Sequence, residues 1–513
     1  MTTSESTEER PGHGAEVGEP AARTDGRRLV RRILVFVPGS VVPAVLALVT
    51  SMIFTRVFTP AEFGMFSLAG VVVAIPLKTI STTWLVQSIA KFLPPQRTEA
   101  GRRRTLDAVL LAIAVIAAVQ VVLGLVAILV GRAVLSEQWH RFLVPVAVFV
   151  VAISVFEILS SLLAAEGRAH QYTTFAVVNS VLTLGLRLLF ISSLVRMDVT
   201  AMLWSLALSN AVLVPLMWRR VGLARPGRAL ALSRSPELRG TARSFVGYGL
   251  PMTLWLFSSI LLDVGDRWVL NGLLGSGAVG IYDANYRLIG GVAALLVVPV
   301  TIAVHPYMMS LSGSDDGHVG HVIGTVIDNL VIVTLLAVGL TTVLREDIAL
   351  VLLGPEFRSG NLIMPLVLAG VFCANIGTFA HKPFELVGRT APMVVGGFLA
   401  AAVNVALCFL LIPAVGYVGA AWATLFSYLL YAVLVGVLGR RIIPWHLDVR
   451  RILRLAVVIA AGVSGLLLLR SSVDVGYLAE LAMTAVGCAV LSGAVLLSVI
   501  RRPGVGAASE VDA

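Results

Sequence analysis

Lysine is almost missing from this chain: Lys78, Lys91 and Lys382 are the only three among 39 basic residues. Charge of either sign is scarce, at 13% of 513 residues against roughly 25% in soluble domains. With 58% hydrophobic residues, that scarcity excludes an ordinary soluble enzyme. Cysteine is limited to Cys373, Cys408 and Cys488, all within apolar runs and without C-x-x-C spacing. That pattern excludes a disulfide or metal framework and leaves three small core residues. There is no Walker A motif and no H-E-x-x-H, so neither a nucleotide site nor a zinc protease site is expected. Runs such as "VAALLVVPVTIAV" do not alternate, which argues against a membrane β-barrel.

What the chain has instead is repeated apolar stretches of about 20 residues, each able to cross a roughly 30 Å hydrocarbon core. Spans are expected near 30–55, 64–93, 106–131, 142–164, 171–195, 199–218, 243–272, 279–308, 321–344, 360–384, 390–413, 415–438, 451–470 and 476–499. The fold class is therefore an all-α polytopic membrane protein of about fourteen helices. The formal charge of +10 comes mostly from arginines in short loops, which the positive-inside rule explains without nucleic acid. Arginine-rich connections fall on one side if the spans alternate, placing both termini in the cytoplasm. The first span has a basic flank and no cleavage-site pattern, so it reads as uncleaved.

Two stretches read as copies of one another. "TPAEFGMFSL" (59–68) opens span two, and "GSGAVGIYDA" (275–284) opens span eight. "AAEGRAHQYTT" (164–174) and "ELVGRTAPMVV" (385–395) form a second pair. Matching positions a half-length apart imply two pseudo-symmetric six-helix lobes around a central cavity. The expected organisation is a disordered tail (1–29), an N-lobe (30–218), a basic linker (219–242), a C-lobe (243–440), two extra spans (441–500) and a second tail (501–513).

Several motifs carry a family resemblance. They are "TRVFTPAEFGMFSL", "GLPMTLW" opening span seven, Asp266-Arg267, "GIYDANYRL", and Asn404 followed by "IPAVGYVGAAWAT". In order and spacing the chain resembles the Wzx-type polysaccharide and oligosaccharide flippases of the multidrug/oligosaccharidyl-lipid/polysaccharide exporter superfamily. The resemblance covers about residues 30 to 440. It implies a polyprenyl-linked glycan lipid as substrate, moved between leaflets by alternating access. It also implies membrane lipids and the glycan polymerase or glycosyltransferase machinery as partners, with no cofactor and no enzymatic activity.

Ionisable groups inside a span cost about 2.5–3.5 kcal/mol on insertion scales, so each one needs a cavity, a partner or an end position. Lys78 lies near the middle of span two; it either faces the cavity and attracts a pyrophosphate, or pairs with an acid such as Glu157. Arg187 in span five is placed to line the same cavity, with Glu157 and Gln87 as further candidates. Asp263, Asp266 and Arg267 lie near one end of span seven, with Asp283 and Arg287 at the start of span eight. Asp263 with Arg267, and Asp283 with Arg287, stand at i,i+4 and can pair on one helix face. This cluster is expected at the outer mouth, either as a static ion-pair group or as a latch to Arg56 and Glu62. His381 and Lys382 either snorkel to lipid phosphates or meet an entering head group.

The leading expectation is a flippase for a polyprenyl-diphosphate-linked oligosaccharide. A multidrug antiporter of the related toxin-extrusion family is the alternative; it would want an acidic cavity. A non-transporting scaffold lacks the tails to recruit partners. A lipid II flippase shares the span number but fits "GIYDANYRL" less well. Glycan polymerases and ligases carry a large outer loop, and every outer loop here is short.

Overall fold

Hydrocarbon offers no partner to a backbone N–H or C=O, so a membrane-crossing apolar run must satisfy both internally as helix. The structure, a computed structural model, describes residues 21–96, 98–192, 198–224, 236–310, 315–472 and 477–500, and among them there is no strand. Among the described residues, twelve helices are long and apolar enough to span. One of these belongs to a 75-residue run that is two helices meeting at Gly275, whose φ of 81° breaks the helix. With its two arms taken separately and the shorter apolar helix Val41–Val57 included, the count is in line with about fourteen.

The chain order is α1 (Ala21–Val57), α2 (Pro60–Ser67), a π-helical turn (Leu68–Ala74) and α3 (Ile75–Phe92). Then follow α4 (Glu99–Val134), α5 (Glu137–Ala165), α6 (Ala169–Ile191) and α7 (Ala201–Val221). The long run is α8 (Pro236–Ser310), and α9 (Asp316–Leu352) follows. After a 3-10 segment (Pro355–Ile363) come α10 (Met364–Ala380), α11 (Lys382–Leu386), α12 (Ala391–Val415) and α13 (Tyr417–Gly439). The last two are α14 (Val449–Ser472) and α15 (Tyr477–Ile500). Residues 21–29, expected in a disordered tail, belong to α1; residues 1–20, 225–235 of the linker and 501–513 lie outside the described residues.

The repeat is visible in backbone detail. Gly167 and Gly388 take φ of 71° and 70°. After each, the next amide reaches back the same distance: Arg168 to the Leu163 carbonyl and Arg389 to the Phe384 carbonyl, both 2.9 Å. Only glycine adopts this left-handed turn without strain, which is why both copies keep it. The two lobes pack through one large cluster running from Phe54, Phe63 and Phe66 to Tyr282, Phe357 and Met364. Lipid tails are as apolar as these side chains, so close packing, rather than exclusion of water, holds the lobes together. Each lobe also has its own core. The last two helices attach to α9 through Ile332, Leu336, Ile459 and Val495.

The seam between lobes is closed at both ends. On one face, the Gly354 amide donates to Thr55 Oγ1 at 3.0 Å and Arg56 to the Val351 carbonyl at 2.7 Å. On the arginine-rich face, Ser88 Oγ donates to the Phe245 carbonyl at 2.7 Å. There a Cβ on Gly249 would fall 2.0 Å from the Trp84 carbonyl oxygen.

Candidate functional site: a central cavity between the lobes

Between the two closed ends lies a cavity of about 660 Å³, walled by α1, α5, α6 and both arms of α8. Asn179, Thr183 and Arg187 recur every four residues on α6, which puts all three on its cavity face. Arg187 is 9% exposed. Its Nε donates to Ser205 Oγ at 3.1 Å, and its guanidinium lies 5.8 Å from the centre of the Phe54 ring. No carboxylate pairs with it among the described residues.

Across the cavity stands the cluster from α8. Arg267, only 2% exposed, is bound by Asp266 and by Asp283, each at 2.9 Å. Asp283 also accepts from Arg287 Nε. Asp266 accepts from the Tyr282 hydroxyl and, at 3.0 Å, from the Thr424 hydroxyl. Asn404 supports Thr424 at 3.3 Å. Asp263 accepts from Tyr286 at 2.6 Å and Tyr428 at 3.2 Å. Each carboxylate is thus met by two or more donors, as a buried carboxylate must be. The Arg287 Nη2 atom, by contrast, is buried without a hydrogen-bond partner. In formal charge three acids face three guanidiniums here. Asp263 and Asp283 line the cavity together with Arg187, Arg267 and Arg287. Both carboxylates are already taken by two donors each, so the hydrogen-bonding capacity left over is cationic: Arg187 and the free Nη2 edge of Arg287.

The expected pairing is realised in part. Asp283 and Arg287 meet at i,i+4. Arg267 reaches only the backbone carbonyl of Asp263, whose carboxylate is taken by tyrosines. The cluster does not sit at a wet mouth: Asp266, Arg267 and Asp283 are 0–2% exposed and lie eight or nine residues, about 12 Å of helix, from the turn at Gly275. Nor does the expected latch form. Arg56 donates to the Val351 carbonyl at 2.7 Å, while Glu62 is used in capping its own helix. Tyr282 and Tyr286 are buried, and their hydroxyls donate to Asp266 and Asp263.

Lys78 is outside the central cavity and pairs with Glu157 at 2.8 Å. Gln87, nine residues further along α3, is half-buried and does not line the cavity. His381 and Lys382 are fully buried rather than snorkelling. His381 bridges the Tyr431 hydroxyl (2.9 Å) and Glu385 (3.0 Å), and Lys382 binds Glu385 at 2.6 Å. The α6 polar stripe and the Thr424–Asn404 support escaped residue-by-residue reading. The four-residue spacing of Asn179, Thr183 and Arg187 was the signal that could have found the stripe.

The sequence profile of the polysaccharide biosynthesis protein family matches residues 29–312. The chain belongs to that family. A search of curated protein sequences found no match. Among solved structures, this family member is similar to a lipid II flippase MurJ in an inward closed conformation. That match has 11% identity and a TM-score of 0.70, and covers 90% of this chain and 98% of the other. It is also similar to a multidrug resistance MATE transporter in an inward-facing conformation (14% identity, TM-score 0.56, 84% and 95% coverage). The outward-facing form of a MATE transporter matches comparably (15% identity, TM-score 0.55, 83% and 96%). At these identities the likeness is one of fold: the helical, multi-pass, two-lobed architecture of these transporters.

Proposed function

We propose that this protein is a flippase that moves a polyprenyl-diphosphate-linked oligosaccharide across the plasma membrane for cell-surface polysaccharide synthesis. The carrying observation is Arg187, a buried guanidinium with no carboxylate partner among the described residues, facing a cavity between two pseudo-symmetric lobes. A cation so placed attracts a diphosphate, and low-dielectric walls strengthen that attraction. Family membership supports a role in polysaccharide synthesis. Similarity to MATE folds in both inward- and outward-facing forms supports alternating access as the mechanism. In this reading the arginine-rich face and both termini are cytoplasmic, and polymerase or glycosyltransferase machinery works on either side of the transport step.

The MATE likeness also favours a second reading, a cation-coupled drug antiporter, which needs free acids in the cavity. The two acids that line it, Asp263 and Asp283, are each held by two donors, which weighs against it. The deciding experiment is mass spectrometry of polyprenyl-linked glycans in cells lacking this protein, beside a cationic-dye efflux assay. Accumulated lipid-linked oligosaccharide, cleared by wild type but not by Arg187→Ala, is the expected result. Unchanged glycan lipids with lost dye efflux would replace the flippase with the antiporter.

A further inference from the structure

The second span is interrupted. Residues Leu68–Ala74 form a π-helical turn between α2 and α3, and such turns gather at functional sites. Here the turn is a partition. Gly70 and Val71 face the central cavity. Leu68, Ala69 and Val73 face a second space of about 630 Å³, bounded by α4, α5 and the tip of the first arm of α8. Leu77, Ile80, Val119 and Leu123 line it and are also exposed on the outside of the bundle, so it opens sideways as a groove. All its lining residues are apolar except Ser81, Gln120 and Asn271. The first two already bond to one another at 2.6 Å.

The repeat explains why the groove is open. Thr55 and Arg56 correspond to Asn271 and Gly272, and Leu353–Gly354 to Leu135–Ser136. The backbone agrees: φ and ψ are −62° and 153° at Gly354, and −65° and 153° at Ser136. In one copy a Cβ on Gly354 would lie 1.8 Å from the Thr55 carbonyl oxygen, and Arg56 ties across to Val351. In the other copy Gly272 has no side chain to tie with, and Leu135 and Trp139 stand across the groove from Trp268 and Asn271. One seam is sealed and its counterpart is left as an apolar slot.

An apolar slot of this size facing hydrocarbon takes up a chain rather than water. We propose that the chain is the polyprenyl tail of the substrate, lying in this groove while its diphosphate head occupies the central cavity. This rests on the flippase reading and adds where the tail goes. The groove and the cationic cavity share the Leu68–Ala74 wall, so a tail joined to a diphosphate has a continuous site once that wall shifts. A phospholipid offers that cavity a single phosphate charge and so gains less from it than a diphosphate does. The π-helical turn, followed by Pro76, which lacks a backbone donor, gives the wall a place to move without unwinding α2 or α3.

The test is native mass spectrometry of the full chain in detergent with three probes: undecaprenyl diphosphate, inorganic pyrophosphate and phosphatidylglycerol. Ala127→Trp fills the groove from an exposed position, and Val122→Trp adds the same bulk on the lipid-facing surface beside it. Ala127→Trp is expected to cut the undecaprenyl diphosphate adduct by about tenfold while leaving pyrophosphate binding unchanged. Val122→Trp should match wild type. Equal undecaprenyl diphosphate binding in Ala127→Trp would overturn the proposal alone. So would phosphatidylglycerol competing one for one with the polyprenyl probe in wild type, since the groove would then be an ordinary lipid site. Wild type binding neither diphosphate probe would sink the flippase reading and this proposal together.

Discussion

Gly64 and Gly280 occupy equivalent places in the two halves, and each is pressed against the start of the other's helix. A Cβ on Gly64 would fall 1.8 Å from the Ser276 carbonyl oxygen; one on Gly280 would fall 1.8 Å from that of Pro60. Ser276 and Pro60 are themselves equivalents, so the contact is reciprocal about a pseudo-twofold axis. Backbone cannot give way as a flexible side chain can. Alanine at either position must therefore push the lobes apart on this face. A forced fit of this kind costs about 1–3 kcal/mol, enough to shift a two-state population by roughly five- to 150-fold. Spin labels at Val57 and Leu350, in a chain freed of its three cysteines, should report longer distances in Gly64→Ala and Gly280→Ala. A distribution identical to wild type in both variants would show that the seam is not a moving contact.

Arg187 should separate transport from stability. Its guanidinium forms a single hydrogen bond to Ser205 and no ion pair among the described residues, so Arg187→Gln removes about 1 kcal/mol of structure. Clearance of the lipid-linked oligosaccharide is expected to fall at least about tenfold, as befits a lost charge-assisted contact. Arg187→Lys should keep part of the activity, because the charge survives without the fork. Thermal unfolding in detergent should move little in either variant. A large loss of stability with normal transport per folded molecule would make Arg187 a packing residue.

The spans and the repeat were legible because both rest on local signals: apolar run length, and turn residues such as Gly167, Gly388 and Gly275 that need φ above zero. Arg187 stood out because a lone cation in an apolar run has few alternatives. Depth was not legible. Asp266, Arg267 and Asp283 lie near the turn at Gly275 in the sequence, but the two arms of α8 pack along each other and carry the cluster inward. Partner choice was equally hidden: the Asp263 carboxylate goes to Tyr286 and to Tyr428, which is 165 residues away. A sequence displays the i,i+4 neighbours of a residue and conceals its neighbours on other helices.

The Lys78–Glu157 pair makes a further prediction. It joins α3 to α5 at 2.8 Å and is away from the central cavity. Either single reversal, Lys78→Glu or Glu157→Lys, sets like charges together within the membrane. Each should lower the melting temperature in detergent and reduce abundance, by an amount set by the half-exposed Glu157, on the order of 1–3 kcal/mol. The double reversal should recover most of the loss. If Lys78 is instead needed to hold substrate, the double variant will fold normally and still fail to clear lipid-linked glycan.

Arg267 offers the sharpest structural test, because its role and that of its acids can be separated by neutralisation. Replacing it alone, as Arg267→Met, leaves Asp283 paired with Arg287 but Asp266 with only the Tyr282 and Thr424 hydroxyls and no guanidinium. Breaking a buried pair from one side costs about 3–5 kcal/mol, since the surviving charge has no solvent. The chain should then be nearly absent from membranes. Removing the charges together, as Arg267→Met with Asp266→Asn, takes away both the cation and the carboxylate bound to Tyr282 and Thr424, while an amide can still bond to their hydroxyls. Abundance and thermal stability should therefore recover substantially in the double variant. If the double variant is instead as damaged as the single one, the network is not held by charge compensation. In that case the carboxylate of Asp266 is needed for itself, as it would be if it took up a cation during the transport cycle.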